Sequence, residues 1–192
     1  HSFEATINEI GVLPEFRMLP DSSSVISFFD YYRGDYGLDK LDLGVKYFSK
    51  NQLLNVSGFK RSSLGNYGHY IHPSKSSGPI HQSFRVDYAN KTLTDRIEVS
   101  AARFITTSGI PDNLQNGIES DNIISSGISY ERSLDNWKIK GYLSQFAQNR
   151  TLIHSLYADS TTRFINRNQF DLQLINSKRY EFGFNQKFHQ YN

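Results

Sequence analysis

Several residues have the right types for chemistry, and their surroundings decide how to read them. His69 and His72 flank Tyr70 and Ile71, with His81 further along the same stretch. Paired imidazoles could hold a metal ion. That spacing aims two rings at one ion when it lies on a helix with a carboxylate beside it. Here no helical period surrounds the histidines and no carboxylate adjoins them, so they read as parts of a polar loop. Gly65, Gly68 and Gly78, with Pro73 and Pro79, lie in that stretch too. A phosphate cradle would need a strand before the glycines and a helix after them. Neither pattern is present, so these are turn formers. Arg33-Gly34-Asp35 has the form of an adhesion tripeptide but falls where a tight turn calls for Gly and Asp. His154 and Ser155 would serve a lipid hydrolase only if they met at one rim. No GxSxG elbow and no HExxH motif occurs. The sequence assigns no catalytic residue, no metal site and no cofactor, and it is not read as an enzyme.

A more consistent set is Asp42, Lys46, Arg85, Asp87, Glu98, Lys138, Lys140, Asp171, Glu181 and Lys187. Each alternates with apolar neighbours along an extended run. Such a set can line a wet pore and set solute preference. It can equally be a solvated sheet face or an ion-paired interior. Its mixed signs argue against a strong filter for ions of one charge.

The elements that would hold these residues follow a period of two. Leu41, Leu43, Val45 and Tyr47 alternate with Asp42, Gly44 and Lys46, and Leu54, Val56 and Gly58 with Asn55 and Ser57. Phe84, Val86 and Tyr88 enclose Arg85 and Asp87; Ile97, Val99 and Ala101 enclose Glu98 and Ser100. The pattern returns at Ile124 to Tyr130, Trp137 to Gly141, Phe170 to Leu174 and Tyr180 to Phe184. Val25 to Tyr32 is aromatic and strand-like but less regular. Alternation of this kind is the signature of strands with one buried and one wet face. Ala101-Ala102-Arg103-Phe104 and Gly141-Tyr142-Leu143 break phase, as a bulge or a change from membrane to loop surroundings would make them do.

The connections alternate as well. Short ones fall near 49–52, 90–95, 133–136 and 177–179, and long polar ones near 62–80, 108–121 and 149–167. Residues 1–23 read as an irregular lead-in with Pro14 and Pro20, and 24–192 as one all-β unit.

Composition narrows the class. The 192 residues suit one domain, and aromatics at 14% do not fit a disordered chain. The mean hydropathy of −0.54 leaves no run of about 20 apolar residues for a spanning helix. A net charge of +2 gives a nucleic-acid partner no electrostatic support. The absence of Cys excludes disulfides, Cys-ligated metal and a thiol nucleophile.

Runs of about ten residues match a tilted membrane-crossing strand and exceed the usual globular strand. Tyr47, Phe48, Tyr88, Tyr130, Trp137, Tyr180 and Phe188 sit near segment ends, where interfacial girdles lie. The segments 41–60, 82–107, 123–148 and 169–190 resemble successive hairpins of a Gram-negative outer-membrane β-barrel. The likeness is to porins and to the barrel portions of TonB-dependent receptors. It implies an antiparallel up-and-down transmembrane β-barrel or part of one, of about eight to nine strands, with long outer loops and short periplasmic turns. It also implies a place in the bacterial outer membrane, outer-membrane lipid and small solutes as partners, and passage or uptake of those solutes. A homo-oligomer is left open. Such barrels commonly end in a strand closing on Phe, whereas Tyr191-Asn192 ends this sequence, so a piece of a larger barrel is expected. No plug or energy-coupling box is read near residue 1, so the porin-like form is preferred. The alternative is a soluble secreted β-sandwich that binds carbohydrate or another surface ligand.

Overall fold

The computed structural model describes residues 22–62, 80–110, 117–154, 159–176 and 180–191. Nine strands follow one another: β1 (Ser24–Arg33), β2 (Asp39–Phe48), β3 (Gln52–Ser62), β4 (Ile80–Lys91), β5 (Asp95–Ile110), β6 (Gly117–Leu134), β7 (Trp137–His154), β8 (Asp159–Asn176) and β9 (Glu181–Tyr191). They form one antiparallel sheet in sequence order, each strand bonded to its chain neighbours. The fold is therefore all-β and up-and-down. A sandwich would split the strands between two layers, and the described strands make only one. Among the described residues the single helical element is a 3-10 turn at Asp35–Gly37. No described helix is long and apolar enough to cross a membrane.

The turns explain why neighbours pair. Ser49 N–H donates to Gln52 O at 2.8 Å, Thr92 N–H to Asp95 O at 2.7 Å and Asn176 N–H to Tyr180 O at 2.7 Å. Between Leu134 and Trp137 the chain reverses through Asp135, whose φ of 40° is left-handed, as turns matching strand twist require at their first central position. Adjacent short turns are also joined: Lys91 N–H reaches Asn51 O and Ser133 N–H reaches Thr94 O, each at 2.8 Å.

Two expectations need correction. β5 to β8 run 16, 18, 18 and 18 residues, so much of 108–121 and 149–167 is strand rather than loop. These extensions are mostly polar and their few apolar residues do not alternate, yet their backbones continue the ladder. Thr107 and Ser120 hydroxyls meet at 3.3 Å there, and Arg150 pairs with Glu119. The connection 63–79, with His69 and His72, lies outside the described residues.

The phase breaks are not bulges. β5 pairs one-to-one with β4 and β6 throughout, Val86 with Ala101, Arg85 with Ala102 and Ser83 with Phe104. Likewise Gly141, Tyr142 and Leu143 pair in step with Tyr130, Ser129 and Ile128. Phe104 and Tyr142 are aromatic residues on the otherwise polar face, which is why the apolar pattern looked shifted.

Register fixes the two faces, because directly paired residues project to the same side. The three buried hydrophobic residues among those described, Leu53, Ala89 and Ile123, all lie on the face that holds Asp87. Among the described hydrophobic residues full burial is thus confined to one side, which we take as the curled, concave side of the sheet. The other face keeps Phe84, Val86, Ile128, Leu143, Phe170 and Leu172 exposed.

Candidate functional site

The curled face gathers the sequence-derived charges. Register sends Lys46, Asn55, Asp87, Ser100, Gly127, Ser144, Gln169 and Lys187 along one cross-strand row. Two residues nearer the short turns, Leu53, Ala89, Glu98, Ser129, Tyr142, Asp171 and Asn185 share the next row. Lys140 lies one row further on, opposite Glu131, and Lys138 with Glu181 one row beyond. Toward the long connections, Arg85 shares a row with Gly44 and Ser57, and Asp42 with Phe59. All ten residues thus stand on one face, spread over several rows rather than gathered at one point.

Within that set Arg85 and Asp87 touch each other. Arg85 Nε approaches Asp87 Oδ2 at 2.8 Å and its Nη2 approaches Oδ1 at 2.9 Å. Asn55 Nδ2 donates to Oδ2 of the same carboxylate at 3.0 Å. Asp87 is 5% exposed, and a charge so enclosed needs these partners. Several of the remaining charges pair with residues outside that set. Lys40 lies 2.9 Å from Asp42 and 3.1 Å from Asp30; Arg96 lies 2.6 Å from Glu98; Lys138 lies 2.6 Å from Glu131. Asn185 Nδ2 reaches Asp171 at 3.3 Å, and Lys46 sits 5.9 Å from the Phe48 ring centre. Nearer the long connections, Arg150 pairs with Glu119 and Gln148 Nε2 donates to Asp121 at 2.9 Å.

Arg85–Asp87 and Arg96–Glu98 show the signal that was available. Residues two apart on a strand share a face, so Asp87 and Glu98 each had a base two positions away. Lys40, Arg96 and Glu131 could have been found by extending the parity of Asp42, Glu98 and Lys138 along their own or neighbouring strands. His81 belongs to this face as well: Thr106 Oγ1 and His81 Nδ1 are 2.6 Å apart.

No protein-family model matches this chain, and neither a curated protein nor a solved structure shows significant similarity to it. The arrangement therefore speaks through its own chemistry.

That chemistry is a two-sided sheet. One face is an ion-paired polar surface with aromatic insertions. The opposite face is an apolar band beside the short turns: Leu54 and Val56 on β3, Val86 and Tyr88 on β4, Ile128 and Tyr130 on β6, Leu172 and Leu174 on β8. Tyr47, Tyr88, Tyr130 and Trp137 lie on this face by the short turns, and Tyr180 precedes β9. Phe48 falls on the polar face instead, and Phe188 lies toward the other end. Beyond the band the same face turns polar, with Arg103 Nε donating to Asn122 Oδ1 at 3.1 Å. His154 is the last residue of β7, while Ser155 lies outside the described residues.

Proposed function

We propose that this sheet is the wall of an outer-membrane β-barrel that passes or takes up small solutes. One observation carries the reading: the sheet is a single layer whose convex face holds a continuous exposed apolar band. In water such a band is a liability; each large side chain left exposed forgoes about 1.5–3 kcal/mol of burial. Hydrocarbon removes that cost, and antiparallel strands satisfy their backbone groups within the ladder. The aromatic residues by the short turns fit the headgroup level, and Arg103 with Asn122 fits the opposite boundary of the band. The polar face then borders the aqueous path. Its mixture of Asp42, Lys46, Arg85, Asp87, Glu98, Lys138, Lys140, Asp171 and Glu181 gives a weakly selective wall. The test is cloud-point extraction with a nonionic detergent, followed by liposome swelling in a small sugar. Recovery in the detergent-rich phase and faster swelling support the proposal. A protein that stays in the aqueous phase without detergent contradicts it.

A further inference from the structure

Charge on the curled face is mixed over the whole sheet but is not evenly spread. Asp159 begins β8, and Asp171 and Glu181 lie toward the short turns, so the middle of β8 and the facing stretches of β7 and β9 hold no acid. There Arg163, Ile165 and Arg167 follow one another on the curled face. Register sets Arg163 directly opposite Arg150 on β7. Like charges facing each other across a ladder weaken a sheet. Arg150 has its counter-charge in Glu119 on β6. Arg163 forms no ion pair or side-chain hydrogen bond with a described residue.

Rings surround the second arginine. Arg167 stands between Phe146 on β7 and His189 on β9, its partners in register. Its guanidinium carbon lies 6.0 Å from the centre of the Tyr191 ring, and its Nη2 lies 3.4 Å from the Tyr191 hydroxyl. The His189 and Tyr191 rings are parallel to within 3°, with centres 6.2 Å apart. Tyr191 pairs in turn with Ile165, which is half-buried between the two arginines. Four residues of strand separate Arg163 from Arg167, about 13 Å, a span that two extended arginine side chains close between them.

We propose that Arg163 and Arg167 hold the carboxylate of a small organic anion over Ile165, with the apolar body of that anion against Phe146 and the Tyr191 ring. Guanidinium groups match carboxylate geometry, and the anion supplies the counter-charge that Arg163 lacks. The rings and Ile165 add apolar contact that an inorganic ion cannot use. The site therefore selects aryl and alkyl carboxylates over neutral solutes and over bare anions. It names the solute class for the path, and in that role it rests on the reading above that the curled face borders water.

The test is equilibrium dialysis of the full chain in nonionic micelles, against micelles without protein, with phenylacetate as the probe. Phenylacetate should bind at least about tenfold more tightly than neutral phenylacetamide or than acetate. Arg163→Gln with Arg167→Gln should weaken it at least about tenfold. Arg103→Gln with Arg132→Gln removes equal charge from the convex face and should change it by less than about twofold. Equal binding of phenylacetamide or acetate, or equal losses from the two pairs, overturns the inference. Unfolding gives a second readout. Without the probe, Arg163→Gln should raise the urea midpoint, because it relieves the repulsion from Arg150. Phenylacetate should raise the midpoint of the native chain and leave that of the double variant unchanged. A native midpoint that does not respond to phenylacetate also overturns it. Neither readout needs lipid or passage. Binding without faster liposome swelling contradicts the proposed function alone, and swelling without binding contradicts this inference alone.

Discussion

The ring of Phe28 on β1 lies over Gly44, its register partner on β2. A Cβ on Gly44 would stand 2.7 Å from Phe28 Cζ, inside any ordinary contact. Among the described strands β1 is bonded to β2 alone, so this ring against bare backbone is part of what holds it. Gly44→Ala should displace the ring and destabilise the sheet by about 1 kcal/mol. With Phe28→Ala already present, the same substitution should become neutral or stabilising, because the methyl group then restricts only the unfolded chain. A double-mutant cycle from urea unfolding in detergent micelles checks this. Additive effects would show that the two residues do not interact.

Asp87 ties three side chains on neighbouring and shared strands into one unit. Asp87→Ala leaves the Arg85 guanidinium and the Asn55 amide without their shared acceptor. The expected loss is about 2 kcal/mol, below the 3–5 typical of fully buried pairs because Arg85 is 31% exposed. Replacing both members, Arg85→Met with Asp87→Leu, should recover most of it. Unfolding midpoints for the single and double variants test this, and a double variant as weak as Asp87→Ala would contradict it.

Asp135 holds a left-handed backbone at the β6–β7 turn. Asp135→Val should cost about 1–2 kcal/mol, since a β-branched residue strongly resists φ near 40°. Asp135→Gly should be neutral or mildly stabilising. Unfolding midpoints for the two variants check the order, and equal losses would place the cost in the side chain rather than the backbone.

The faces of this sheet were legible in the sequence because parity along a strand needs no knowledge of partners. Asp42, Arg85, Glu98, Lys140 and Asp171 fall on one face for that reason. Partnership was not legible. Arg96 and Glu98 lie two apart, but Lys138 and Glu131 meet only because β6 and β7 pair in a particular register. Strand ends were hidden too. Past Arg103 on β5 and before Ile123 on β6 both faces turn mostly polar, so a bonded ladder and a loop have the same composition there. Phe104 and Tyr142 looked like slips of phase because this side accepts rings, the Tyr142 ring lying over Gly127. In β1, Phe28, Phe29, Tyr31 and Tyr32 place aromatics on both faces, so only its pairing with β2 reveals which side each takes.

If the convex face meets lipid, as proposed, Trp137 reports on it directly. It is the only Trp in the chain, and it stands on that face at the start of β7, 38% exposed. The measurement is its fluorescence after reconstitution into vesicles whose acyl chains are brominated, compared with quenching by iodide in the aqueous phase. Strong quenching by lipid brominated near the headgroup, weaker quenching from bromines at the chain ends, and little quenching by iodide are the predicted results. Efficient iodide quenching with no response to brominated lipid would contradict the account.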